Sequence, residues 1–326
     1  MRTVEVPRVV FGPLEMALVE MFFPSVFGWA PTDTDFRLGL PARHGGLGIQ
    51  EVPVLAGEEW ASSASLTGVL TEAILRQDKG YVEDLRASRT RRAERLRVRD
   101  FGCRLVADEV ERELDGRAWR GFHEGRMRGG SAWLSVIPME SLNLDLDGQT
   151  FRDAVALRMG VELPDPLPDS CPSCGEPFSL AHALKCKKGG WVVRRHKEVV
   201  RAWMSYLRKG GFPNPIEEPE IPPLRGVTGR PATTLEPDAR ADMLVRGVFR
   251  EQENAFFDVA VLDTGADFRG RESTAEILVK YEKTKRSRYS DRIAPVGSFT
   301  PLVCSVYGTL APDAARTAHH IARRVD

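Results

Sequence analysis

The chain has 326 residues, 42% hydrophobic and 28% charged, which is enough apolar material for two or three cored domains and excludes a disordered or fibrous chain. Lysine plus arginine equals aspartate plus glutamate at 46 each, so no global charge draws the protein to a polyanion. The five cysteines, three of them within sixteen residues, are too few and too clustered for a disulfide framework and point to a reducing compartment, nuclear or cytoplasmic.

The apolar stretch over 14–29 is broken by Glu15, Glu20 and Pro24, so it fails as a signal peptide and as a membrane span, and a soluble chain without a membrane partner is expected. Up to about residue 55, proline and glycine alternate with apolar runs; Gly45, Gly46 and Gly48 in Leu40-Pro41-Ala42-Arg43-His44-Gly45-Gly46-Leu47-Gly48-Ile49 mark a turn between packed elements. Helical periodicity over 57–77 and 82–116 predicts two antiparallel helices, the second with eight arginines between 86 and 104. The pattern breaks at Gly129-Gly130, and a helix is expected over 150–159. A proline-rich linker, 163–168, places a domain boundary there.

Cys171, Cys174, His182 and Cys186 follow, spaced Cys-x2-Cys-x7-His-x3-Cys. Two thiols separated by two residues can turn both sulfurs to one side of a tight turn, which Gly175 permits, and one helical turn would present His182 and Cys186 to the same ion. That donor set in that pattern calls for one structural, tetrahedral zinc. Cys103 and Cys304, in apolar surroundings, read as buried thiols.

The neutral balance conceals local excesses. Residues 185–209 carry nine basic side chains against Glu198 alone, and 280–292 carry six against two acids. Lys187, Lys188, Arg194, Arg195, Lys197 and Arg201 are thereby the candidate contacts for a nucleic-acid phosphate backbone, DNA or RNA. Periodicity after Gly189-Gly190 predicts a helix over 191–208, a strand over 216–221, a loop over 226–234, strands over 240–245 and 255–262, a helix over 272–293, a strand over 298–306 and a final helix over 311–324.

Within that string Asp242 opens one strand and Asp258 is embedded in the next, between Phe256-Phe257 and Val259-Ala260-Val261. If the strands are neighbours, both carboxylates can converge on one Mg²⁺, which lowers the pKa of a bound water and steadies charge on a scissile phosphate. A third acid could come from Glu198, Glu218 or Glu220. Lys285, on the following helix, is the candidate for the positive charge that orients the attacking water.

Taken in order, the Leu40–Ile49 segment, the Cys3His spacing, Arg195-His196-Lys197-Glu198, Arg240-Ala241-Asp242, Phe257-Asp258-Val259 and Ser298-Phe299-Thr300-Pro301-Leu302-Val303 resemble the C-terminal portion of non-LTR retrotransposon polyproteins. The resemblance implies an α+β organisation in four parts. Residues 1–55 would be a reverse-transcriptase tail, 56–160 a helical linker, 161–190 a CCHC zinc knuckle and 191–326 a restriction-like endonuclease with the PD-(D/E)xK αβββαβ core. It further implies that Asp242 and Asp258 bind the catalytic metal, that Glu198 is the acid of the first helix, and that the domain nicks DNA to prime reverse transcription. Two departures stand out: Ala241 replaces the motif proline, and Ala260 stands where the motif lysine belongs, so activity requires a lysine from elsewhere, such as Lys285. No polymerase palm precedes residue 40, so the chain resembles a fragment, a decayed copy or a stand-alone descendant. An active Mg²⁺-dependent nuclease and a non-catalytic nucleic-acid-binding remnant both remain open.

Overall fold

The computed structural model describes residues 8–28, 38–49, 52–77, 81–142, 144–163, 165–212, 214–221 and 239–324. The chain forms two compact units that meet in sequence between Pro166 and Leu167, inside the proline-rich linker. The loop expected over 226–234 lies outside the described residues.

The first unit is helical: α1 (Gly12–Ala17), α2 (Phe23–Phe27), α3 (Val52–Arg76), α4 (Tyr81–Glu113), α5 (Gly116–Arg126) and α6 (Gly148–Met159). The long helices α3 and α4 are antiparallel neighbours, with Arg99 of α4 reaching Glu58 of α3 at 2.8 Å. The expected second helix ends early. Gly116 takes a positive φ of 48°, a conformation that costs glycine little, and the chain restarts there as α5. Helix α6 begins where Asp147 accepts the N–H groups of Gln149 and Thr150 at 3.0 and 2.9 Å, and stops at left-handed Gly160. Its inner face, Val155 and Met159, packs with Phe23, Phe27 and Leu38. Cys103, expected to be buried, is half-exposed on α4 beside the cluster of Leu40, Ala107 and Phe122.

The Leu40–Ile49 segment is the turn its glycines predict. Gly45 has φ of 96°, and a Cβ there would sit 2.5 Å from the Phe122 ring. The turn is held from beneath by buried Arg158, which donates to the carbonyl oxygens of Ala42 and Gly46 at 2.8 and 3.3 Å and whose pKa burial pulls down to about 10. The turn presents His44 and Arg43 to one oxygen of Asp100 on α4, at 2.7 Å from His44 Nε2 and 2.9 Å from Arg43 Nε.

The second unit is mixed α+β. Its elements run α7 (Leu180–Lys185), α8 (Trp191–Lys209), β1 (Ile216–Glu217), β2 (Met243–Arg246), β3 (Asn254–Leu262), α9 (Thr274–Ile293), β4 (Ser298–Ser305) and α10 (Pro312–Ala322). The sheet order is β1-β2-β3-β4, antiparallel up to β3 and parallel between β3 and β4, with α9 as the crossover that a parallel pair needs. The strand expected over 216–221 is cut to two residues because Glu218 adopts φ of 50° and Pro219 has no N–H to donate; only an isolated bridge, Glu220 to Arg240, resumes the pairing.

Strand β3 is buried on both faces. Ala255, Phe257 and Val259 join Val200, Trp203 and Leu207 of α8 and Ala314 and Ile321 of α10, while Phe256 meets Tyr289 and Ile293 of α9. Among the described residues, no helix is long and apolar enough to cross a membrane.

The His44 and Arg43 contacts lower the Asp100 pKa from 3.8 to about 2, with the His44 hydrogen bond the largest cause. A depressed carboxylate contributes stability that is present above its unfolded value and lost as pH falls through the folded one. The denaturation midpoint should therefore decline between pH about 4 and 2, and Asp100→Asn should flatten that part of the pH profile.

Candidate functional site

Two constellations in the second unit carry chemistry. In the first, the segment before α7 turns back on itself: Cys171 N donates to Glu176 O at 2.8 Å, Gly175 N to Cys171 O at 2.9 Å, and Ser170 bridges Pro177. Gly175 supplies the positive φ of 78° that this reversal requires. Ser179 then caps α7 by accepting the His182 N–H at 3.1 Å, and Cys186 N closes the helix onto His182 O at 2.8 Å.

The result places four donor atoms within 4.8 Å of one another, a group that could hold a metal ion. The Cys171 and Cys174 sulfurs each lie 3.9 Å from that of Cys186, and Cys174 Sγ lies 3.2 Å from His182 Nε2. A tetrahedral ion with metal–sulfur bonds of about 2.3 Å separates its ligands by roughly 3.5–3.8 Å, so the donors need only small movements to share one ion. None of the sulfurs is joined to another, and all are free thiols. The Ser173 N–H, with that of Cys174, lowers the Cys171 pKa to about 6, favouring the thiolate that metals bind. At Cys174 the Glu176 N–H acts the same way, but burial and the neighbouring Cys171 and Cys186 sulfurs outweigh it and the thiol is held up.

The second constellation forms where β2 leaves β3. Asp242 precedes β2; its N–H donates to Phe257 O at 3.0 Å and its Oδ2 accepts the Val259 N–H at 2.6 Å, so the carboxylate caps β3 where the ladder opens. Its other oxygen, Oδ1, lies 3.0 Å from His196 Nε2 on α8. Asp258, 5% exposed within β3, has Oδ2 2.5 Å from Lys285 Nζ on α9. Elements from both sides of the sheet thus deliver two acid–base pairs, Asp242 with His196 and Asp258 with Lys285.

The four groups share one electrostatic environment. Burial raises the Asp258 pKa, Lys285 opposes the rise and Asp242 adds to it. Burial works against the Lys285 charge, but the Asp258 carboxylate outweighs it and the lysine is held above its ordinary value. The hydrogen bond to Asp242 raises His196, against burial and with help from the Asp242 and Asp258 charges.

Asp258 and Lys285 are therefore paired, with Asp242 and His196 within electrostatic reach of them, whereas Glu198 is not among these contacts. Glu198 is exposed and pairs with Arg201 at 2.7 Å. Two residues further round α8 is about 200°, which turns Glu198 away from the face that carries His196. Glu218 is exposed, its N–H donating to Asp242 O at 3.1 Å, and Glu220 lies 3.7 Å from Arg240. His196 is the site residue that sequence reasoning passed over. Its signal was its spacing from Val200, Trp203 and Leu207, which continues the buried stripe of α8 one turn towards the sheet's open end.

Of the six candidate phosphate contacts, Lys187, Lys188, Arg194, Lys197 and Arg201 are exposed. Arg194, Lys197 and Arg201 share one face of α8, flanking the buried stripe. Arg195 is half-buried and spent internally: its guanidinium nitrogens lie 3.4 and 3.5 Å from Leu184 O of α7, and Asp263, after β3, favours its charge. No protein-family model and no curated protein matches the chain.

A raised imidazole contributes stability that is fully present below its unfolded pKa and lost as pH rises through the folded value. NMR titration should place His196 above 6.5, and Asp242→Asn should bring it back down; an unchanged value in the variant would remove the His196–Asp242 pair from the site.

Proposed function

We propose that the second unit is a metal-dependent nuclease of the restriction-like PD-(D/E)xK type, and that the chain descends from a non-LTR retrotransposon polyprotein acting on target DNA in a nuclear or cytoplasmic setting. The observation that carries this reading is the buried Asp258–Lys285 pair, with the Asp242 carboxylate that caps β3 within electrostatic reach of it. A buried carboxylate beside a lysine, with a second carboxylate within electrostatic reach, is the equipment for holding a hard divalent cation and charging an attacking water. Lys285 provides from α9 the positive charge that Ala260 cannot provide from β3. Mg²⁺, when bound, supplies the Lewis acidity; Asp242 and Asp258 would hold it. Lys285 would orient the nucleophile or the phosphate, and His196 fixes Asp242.

In this reading the Cys3His group holds zinc as a closed structural site, its four ligands leaving no open coordination position. The exposed Lys187, Lys188, Arg194, Lys197 and Arg201 beside it grip the phosphate backbone, and the first unit corresponds to a reverse-transcriptase tail and linker. Two observations favour a non-catalytic binder instead: Lys285 and His196 already pair with the two acids, and Glu198 faces away.

Supercoiled plasmid with Mg²⁺ or Mn²⁺ separates the two. The nuclease reading expects nicking that Asp258→Ala abolishes and that Lys285→Ala slows by about 100-fold or more. Equal nicking by wild type and Asp258→Ala, or none by wild type, removes it. Elemental analysis should find one zinc per chain, and none after Cys171→Ser with Cys186→Ser. Under either reading, affinity should fall with salt at a log–log slope of roughly one per neutralised phosphate, and charge reversal at Lys187, Lys188 and Arg194 should flatten it.

A further inference from the structure

The loop from β3 to α9 holds an aromatic ring out in water. Phe268 is 81% exposed, more than any other large apolar side chain among the described residues. Its backbone is not loose: Arg269 N donates to Ala266 O at 2.9 Å, Glu272 N to Arg269 O at 3.0 Å, and Gly270 turns the chain with φ of 49°. The loop is pinned on either side by buried Thr264, Ala266 and Thr274. A rigid turn that withholds a phenyl ring from the core forgoes the gain its burial would bring.

The surroundings indicate what the ring meets. The Arg269 guanidinium lies over the ring at 5.0 Å from its centroid, against one face, and is itself held by Glu272 at 3.5 Å. The loop leaves β3 at Asp263, the carboxylate that acts on Arg195 where α8 meets α7 and the Cys3His group. Its first residue is thus within electrostatic reach of Arg195 at the start of α8. Its two ends are the strand that carries Asp258 and the helix that carries Lys285.

We infer that Phe268 is a stacking residue that contacts a nucleobase of the nucleic acid bound by this unit, with Arg269 neutralising the adjacent phosphate. This rests on the nucleic-acid reading above and adds the contact that reads a base rather than the backbone. An aromatic beside a guanidinium suits any base, because every base has a π-face. The strand rise puts the end of β3, where this loop begins, roughly 13 Å beyond Asp258, about four base steps at roughly 3.4 Å each.

The test uses the full chain as wild type, Phe268→Ala, Phe268→Leu and Phe268→Trp, in buffer without added divalent cation so that cleavage is silent. Each is titrated into duplex and single-stranded DNA of one sequence carrying 2-aminopurine at successive positions, with sedimentation run in parallel. Stacking predicts that wild type changes the fluorescence at one position. Phe268→Ala and Phe268→Leu should lose that change and bind about tenfold more weakly, while Phe268→Trp keeps both and its indole is quenched. Wild-type binding by Phe268→Leu would show a merely apolar contact. Concentration-dependent self-association of the wild type, lost in Phe268→Ala, would show that the ring packs on a second copy. Either result overturns the inference, as does indistinguishable binding by all four proteins, which leaves the nucleic-acid reading standing. Absence of wild-type binding to either DNA removes both.

Discussion

A carboxylate in the middle of a doubly buried strand sets the terms for the second unit. Asp258 shares its face of β3 with Phe256 at 4% and Ala260 at 7% exposure, so its charge has no route to water along its own strand. Leaving such a group unpaired costs several kcal/mol, and truncating its partner strands the charge. The counter-charge arrives from α9, the same helix that must cross the sheet to make β4 parallel to β3. One helix thus answers a topological requirement and an electrostatic one. Its buried stripe of Ile277, Leu278, Glu282, Tyr289 and Ile293 fixes the rotation that points Lys285 at the strand.

Asp242 solves a related problem with different means. The ladder between β2 and β3 opens at Met243, and an opened ladder leaves an N–H without a carbonyl. The Asp242 side chain takes that N–H from Val259 and still offers an oxygen to His196. A single residue therefore ends the strand pairing and faces the cluster, which is why it can be neither moved nor lengthened without disturbing both.

Much of this was legible in the sequence where one physical signal dominated. The ligand spacing from Cys171 to Cys186, the apolar run around Asp258 and the period of Trp191–Lys209 each report a local rule, and each element formed within a few residues of its expected limits. Legibility failed where neighbours decided. The second residue of β1 is its last because Glu218 and Pro219 bend the chain, a choice made by backbone conformation rather than by hydropathy. Glu198 drew attention as the one acid in a basic stretch, yet the rotation of α8 was set by Val200, Trp203 and Leu207, and that rotation selected His196. Along the chain, Arg195 is one of nine cations between 185 and 209. In space it caps the carbonyl end of a neighbouring helix.

The position of Arg195 has a mechanical consequence. It ties the Cys3His hairpin to α8 through Leu184 O, and the next residue along the same backbone is His196, which grips Asp242. The hairpin and the carboxylates are therefore joined through one peptide unit rather than through a flexible tether. A loosened hairpin would be felt at Asp242 as a tilt at the start of α8, so a mutation among the cysteines and a mutation in the sheet can produce the same defect without touching one another.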